Sequence, residues 1–535
     1  MDVPGAARRE AGLAAALSAV PTSLLLWAGP PGTDLAAHAY QRLYLLHHGF
    51  VVWNNFWYAG RYAFVTYSVL YYPLAAVLGI KLLALLSIAA ASAAFAYVLR
   101  REWGRPVRPA VVTFAVAWSG ITLSAAFPFA LGAALALLAL ASLEARRTCW
   151  FAVLALLALA ASPLAFALLG VVLVGVGLAR GDPGPRAVPL VLGVALAVEL
   201  VLHRVFPGSG RFPFSIAELI PALIFCGLGL VSTRGVVPAR SLYGIFVVYL
   251  FACVVSFLVP SEIGSNIERL RYAALPIAVL VLALRDWRPL RLAVPAIVLA
   301  AVWNVTPLET SFARASSDPA RDRSYWQPAV HFLEPRLSPS YRVDVVDTVG
   351  HWGAEYLPAA GVPIARGWFR QSDFPANELL YDRLGRAGYR AWLRSLGVRY
   401  VVLADAPLDV SGVGAARLLR SGESGLVRVF TSRHFRIYRV PRPKPIVTGP
   451  APAAVTRLDA AGFRVRVARA GAYRVAIRWS PYWRARDDAC LWRGDDGMLR
   501  LSARRRGVVD VRFALNVRRG LEQLAGFGPS RACAT

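Results

Sequence analysis

The chain has 535 residues, 57% of them hydrophobic, with a formal net charge of +28 and a mean hydropathy of +0.50. Such values exclude an ordinary soluble globular protein and point to a polytopic α-helical membrane protein. The positive charge does not argue for nucleic acid, because many arginines fall in short clusters between apolar runs, where they orient a chain in a bilayer.

The first apolar run, 11–29, follows Arg8 and Arg9 and reads as an uncleaved anchor, since no small-residue cleavage site precedes "GPPGTD". Next, 34–48 reads as a helix on which Asp34, His38 and Arg42 stand at i, i+4 and i+8, a stripe about 80° wide. That spacing suits a polar face turned into a cavity, and equally an interfacial helix with its polar side in water. Directly afterwards "WNNFWYAG" brings Asn54, Asn55, Trp57 and Tyr58, groups that stack on and hydrogen-bond to sugars.

Further runs of bilayer-crossing length occur near 81–99, 109–126, 128–143, 148–162, 163–179, 187–203, 214–232, 241–259, 272–285 and 290–304, making roughly eleven crossings in all. Basic clusters at 100–108, 146–147, 179–186, 232–240 and 285–291 fall at every second connection, so the positive-inside rule assigns them and the N-terminus to the cytoplasm. A span at 62–80 would invert that order, and this segment, rich in tyrosine, is read as in-plane or re-entrant. The loop 30–80, the loops near 204–213 and 260–271, and everything after about 305 then lie outside. In "PSEIGSNIERLRYA" (260–273) Glu262, Asn266, Arg269 and Arg271 sit at the mouth of a span. Arginine grips phosphate bidentately, though routine flanking charges would look the same. Glu199 and His203, at i and i+4, mark another span end.

The tail reads as an α/β domain over 305–445 and a β-sandwich-like domain over 446–535, following a transmembrane domain over 1–304. Strands are expected at 341–348, 398–405 and 435–440, a helix at 376–397, a proline-rich linker at 441–452, and period-two strands over 463–483 and 497–515. "WSPYW" offers Trp479, Tyr482 and Trp483 either as an aromatic face for a glycan acceptor or as core packing. "GHWGAEY" puts His351 and Glu355 at helical spacing, read as a surface polar pair. Cys490 and Cys533 are candidates for a disulfide. No nucleotide-binding, zinc-protease, hydrolase or kinase motif is present, and the cysteines lack metal spacing.

The start of the chain, "TDLAAHAYQRLYLLHHGFVVWNNFWYAGR" followed by "YYPL" (71–74), resembles the GT-C superfamily of membrane glycosyltransferases. It is similar above all to the bacterial integral membrane proteins described as 6-pyruvoyl-tetrahydropterin-synthase-related. The resemblance covers roughly 1–304. It implies transfer of a sugar from a polyprenyl-phosphate donor to a cell-envelope glycan or lipid acceptor, with inversion and Asp34 as base. His38, Arg42 and the 260–273 residues would then hold the substrate. Asp34 stands alone where better-known branches carry a paired acid, so a divalent cation is left open and no metal ligands are assigned. A flippase of lipid-linked glycan and a non-catalytic envelope-assembly scaffold are the alternatives, and membrane lipids are partners under every reading.

Overall fold

The computed structural model describes residues 3–208, 210–486, 489–526 and 531–533. Two compact units emerge: 1–35, 67–199 and 210–317 form the first, and 36–66, 200–209 and 318–535 form the second. The division does not follow chain order, because 36–66 packs with the tail rather than with the helices around it in sequence.

Among the described residues nine helices are long and apolar enough to cross a membrane: Gly5–Trp27, Ile80–Trp103, Arg105–Ser124, Phe127–Glu144, Pro163–Arg180, Ala187–Val205, Ile216–Thr233, Val237–Leu258 and Leu290–Ser316. Two runs expected to span fall short of the roughly 20 residues a crossing needs. Thr148–Ala161 has 14 residues, and the 272–285 run splits into a 3₁₀ segment, Gly264–Ala273, and a ten-residue helix, Ala274–Ala283. The segment 62–80 holds only the eight-residue helix Tyr71–Leu78.

Within the first unit, small residues set the closest helix contacts. A side chain at Gly175 would strike the Gly244–Ile245 backbone, and one at Gly244 would strike the Gly175 carbonyl, so these helices cross backbone to backbone. Ser215 and Glu218 form a reciprocal capping box that starts Ile216–Thr233. A continuous core runs from Ile88 and Phe95 through Phe114, Trp118 and Phe129 to Phe246 and Tyr272.

The second unit begins with the helix Leu35–His48, which it holds from Ala36 onward, and a two-residue hairpin, β1 (Trp53–Asn54) and β2 (Arg61–Tyr62). A mixed sheet follows from β3 (Arg342–Val345), β4 (Val398–Ala404), β5 (Val427–Thr431) and β6 (Phe435–Arg439), in the order β3-β4-β6-β5 with β3 and β4 parallel. The expected strands at 341–348, 398–405 and 435–440 are there; the expected helix at 376–397 is confined to Arg386–Ser395 after Gly385.

Two antiparallel sheets complete the unit. One joins β7 (Val447–Thr448), β10 (Gly471–Arg478), β12 (Ala489–Arg493), β13 (Met498–Ala503) and β15 (Arg531–Cys533); the other joins β8 (Ala453–Asp459), β9 (Gly462–Val467), β11 (Trp483–Ala485) and β14 (Gly507–Phe513). Val465, Val467, Val475, Ile477, Leu499, Leu501 and Val511 alternate inward along these strands and share one core with Trp53 and Trp483. The 441–452 stretch is less a free linker than expected, since Ile446 and Val447 are buried and β7 pairs with β10. A disulfide joins Cys490 to Cys533 across β12 and β15.

Candidate functional site

The segment before Asp34 is laid against the turn 121–126. The Thr33 amide donates to the Leu123 carbonyl at 3.2 Å and the Asp34 amide to the Ser124 carbonyl at 2.9 Å. Such an approach needs a residue without a side chain at position 32: a Cβ there would run into the Thr122 carbonyl oxygen and the Ala125 methyl. Ala125 itself takes a left-handed φ of 52° to turn the chain toward Phe127–Glu144.

So held, the Asp34 carboxylate faces Arg269, with Oδ2 3.9 Å from Nη2, an ion pair beyond hydrogen-bond length. These residues lie 235 positions apart in sequence, and both belong to the first unit. The Arg269 guanidinium lies 5.6 Å from the Phe129 ring centre and donates to the Tyr67 hydroxyl. Burial works against its charge, but Tyr67 and Asp34 outweigh burial and raise its pKa.

Next on the same 3₁₀ segment, Glu268 is 3% exposed; burial pushes its carboxyl up to about 7 against the pull of Arg271. Asn304 donates to the Arg271 carbonyl at 2.6 Å. Asn266 is half-buried and Glu262 exposed. Of the 260–273 residues named from sequence, the structure thus brings Arg269 to Asp34 and leaves Arg271 on the side of Glu268 and Asn304.

The remaining candidates belong to the second unit. His38 is buried, Arg42 half-buried. Asn54 donates to the Tyr40 hydroxyl at 3.3 Å and accepts from the Phe56 amide at 2.8 Å. Asn55 accepts from the Trp53 indole at 2.8 Å and donates to the Asp459 and Gly462 carbonyls at 2.9 and 3.1 Å. The Trp57 indole donates to the Ala354 carbonyl and the Tyr58 hydroxyl to the Phe369 carbonyl, each at 2.8 Å. All four side chains are buried, and their polar atoms are spent inside the unit. Tyr482 and Trp483 are likewise fully buried, bonded to the Val205 and Arg478 carbonyls, while Trp479 is half-buried against the sandwich core. These aromatics therefore pack the unit.

Sequence reasoning missed the densest polar cluster of the second unit. His351 is buried, in a left-handed conformation with φ 52°, and its Nδ1 lies 2.7 Å from Asp347 Oδ1. Arg366 grips Asp373 bidentately at 3.0 and 2.6 Å, and Asn377 and Tyr381 donate to the same carboxylate at 2.9 and 2.7 Å. Asp409 accepts from the Ser411 amide and hydroxyl and pairs with Arg370 at 3.0 Å; against burial, His351, Arg370 and Ser411 hold it down to about 2. The cluster lies where parallel strands β3 and β4 end, with their following loops joined by the Asp409 amide donating to the Asp347 carbonyl at 3.1 Å. Glycines on either side of His351, in "VGHWGAEY", and aspartates just past two strand ends were the available signal.

Among the described residues no group of three or more His, Cys, Asp or Glu could hold a metal ion. Compared with protein-family models and with curated proteins, the chain matches none.

Proposed function

We propose that the chain is a membrane-embedded transferase of the GT-C kind, moving a sugar from a polyprenyl-phosphate donor to an envelope glycan or lipid acceptor. What supports this reading is one observation: the lone acid after the first apolar helix meets an arginine from a distant loop. Asp34 takes the proton of an acceptor hydroxyl, whose oxygen attacks the anomeric carbon. The bond from that carbon to the phosphate oxygen breaks, and the polyprenyl phosphate leaves with the electron pair, inverting the centre.

As charge grows on the leaving phosphate, the Arg269 guanidinium beside Asp34 is drawn toward it, leaving the carboxylate to take the acceptor proton. Placing the acid beside rather than within hydrogen-bond distance of the arginine suits such an exchange of partners.

The test is transfer of labelled sugar from polyprenyl-phosphate sugars by the purified chain in lipid. Asp34→Asn should lower the rate about 10²- to 10⁴-fold, the range for loss of a general base, with expression unchanged. Arg269→Gln should lower it as well while leaving binding of a short acceptor intact. Full transfer by Asp34→Asn would overturn the base assignment, and absence of transfer by the parent chain with normal envelope assembly would point to the scaffold reading.

A further inference from the structure

The helix Val517–Leu524, in the second unit, carries Val517, Leu521 and Leu524 at i, i+4 and i+7 on one face. A water-soluble surface would bury that face, yet Val517 is 81% and Leu521 60% exposed, and Leu515 just before the helix is exposed too.

The flank of that face, at Gly520, lies against the end of a candidate membrane span. A Cβ at Gly520 would sit 4.0 Å from Val205, the last residue of Ala187–Val205. The Tyr482 hydroxyl donates to the Val205 carbonyl at 2.9 Å, and Phe206 packs on the Tyr62 and Tyr482 rings at 5.3 and 5.9 Å. "WSPYW" thus packs, through Tyr482, on the end of this helix.

Positive charge gathers at the same place. Arg204 and Arg518 are exposed, Arg519 donates to the Pro481 carbonyl at 3.0 Å, and Arg484 donates to the Pro481 and Trp483 carbonyls at 3.1 and 2.8 Å. The one acid on the helix, Glu522, pairs with Arg518 at 3.0 Å. Arg484 Nη2 is buried with no hydrogen-bond partner among the described residues. Burial, with the charge of Arg519 beside it, pushes the Arg484 guanidinium down to about 10, the signature of cations gathered without enough anions.

We infer that Leu515, Val517, Leu521 and Leu524, with Arg204, Arg484, Arg518 and Arg519, form an in-plane membrane anchor that takes anionic phospholipid headgroups. The exposed apolar face enters the headgroup and acyl boundary as an interfacial helix does, and the arginines meet lipid phosphates. The end of Ala187–Val205 from Leu200 onward belongs to the same unit as the helix Val517–Leu524, and its continuation as a membrane span would bring that helix to a bilayer surface.

The anchor is tested on the full chain in lipid nanodiscs, in a Cys149→Ser background that removes the exposed free thiol. A nitroxide is attached through Leu521→Cys, and through Arg518→Cys in a second sample. The label at 521 should favour collisions with oxygen and the label at 518 collisions with a water-soluble nickel chelate. Phosphatidylglycerol added to phosphatidylcholine should raise the oxygen-to-nickel ratio at 521. Arg204→Gln and Arg519→Gln should each reduce that gain about fivefold, the effect of one cation near an anionic surface. Equal nickel access at both positions in both lipids would overturn the proposal. So would a label at 521 shielded from both reagents, or one broadened by a second nitroxide, because either puts protein rather than lipid on this face.

Discussion

The two ionic centres of this chain are built on opposite plans. The Asp373 and Asp409 carboxylates are each crowded by donors at 2.6–3.0 Å, from guanidinium, hydroxyl, amide and backbone groups. Asp34 and Arg269 meet instead at 3.9 Å, on a loop pinned by two backbone hydrogen bonds. A closed network resists change and holds loops together; a looser pair can exchange partners with a substrate. The first therefore reads as a clasp, and the second is the pair on which the proposed transfer would rest.

The sharpest way to break that contrast is Asp373→Ala, which takes the bidentate partner from the buried Arg366 and leaves it only Asp347, at 3.5 Å. It should cost about 3–5 kcal/mol locally, seen as faster hydrogen exchange across 364–381 in the solubilised chain. Asp34→Asn should leave exchange in its own loop unchanged while lowering the proposed transfer about 10²- to 10⁴-fold. If both variants loosened their surroundings alike, the distinction between clasp and reactive pair would fail.

Smaller in effect is His351→Gln, about 1.5–3 kcal/mol for a hydrogen bond to a charged group. The sign with pH follows from the raised His351 pKa, where Asp347 and Asp409 outweigh the burial that would lower it. A group whose folded pKa exceeds its unfolded value of 6.5 stabilises fully below 6.5, and that stability disappears as pH rises through the raised value. The gap between the parent and His351→Gln should accordingly be widest below pH 6.5 and close above it. Asp409 runs the other way: its contribution is present above 3.8 and is lost as pH falls through about 2. Asp344, pushed by burial up to about 6, acts in the direction of His351, so the comparison must be made against the variant rather than on the parent alone.

In the first unit the counterpart is Gly32→Ala. Overpacking against Thr122 and Ala125 should cost about 1–3 kcal/mol and draw Asp34 away from Arg269, lowering transfer while sparing the 347–409 clasp. Hydrogen exchange at 28–35 and 121–126 reads the first effect. Retention of full transfer would mean that the loop's seat does not position Asp34.

These residues also show what a sequence can carry. Short apolar runs marked β3, β4 and β6, period-two alternation marked the strands of the two later sheets, and apolar length marked the long helices because hydrocarbon demands it. Asp34 and Arg269 stood out as charges at the mouths of apolar runs, but their meeting depends on how Gly32 seats a loop on a turn 90 residues onward, which no local period records. "WNNFWYAG", read as a sugar-binding stretch, is ambiguous for a related reason. Trp, Asn and Tyr serve a sugar and a wet core with the same chemistry, and only burial against 354–369 and 459–462 tells them apart. The clasp draws on three separate stretches, 347–351, 366–381 and 409–411, so it leaves no spacing to read, and His351 passed for a surface pair with Glu355.

The smallest expected effect separates buried from exposed polar contacts at a single residue. Asp459 holds Asn55 through its backbone carbonyl at 2.9 Å and Arg457 through its side chain at 2.7 Å. The Arg457–Asp459 pair is exposed, with side chains 64% and 47% accessible, so water and salt screen it and both chains lose freedom to form it. Arg457→Ala should change stability by about 0.2–1 kcal/mol at most, and by less as salt is raised. Asn55→Ala removes bonds to the Trp53 indole and to two carbonyls in a site closed to water, leaving those partners unsatisfied at about 1–3 kcal/mol. Thermal unfolding of the two variants side by side reads the difference. Equal shifts would mean that the aromatic hairpin is not the interior element its hydrogen bonds describe, and would return Asn55 and Trp57 to the list of groups available to a ligand.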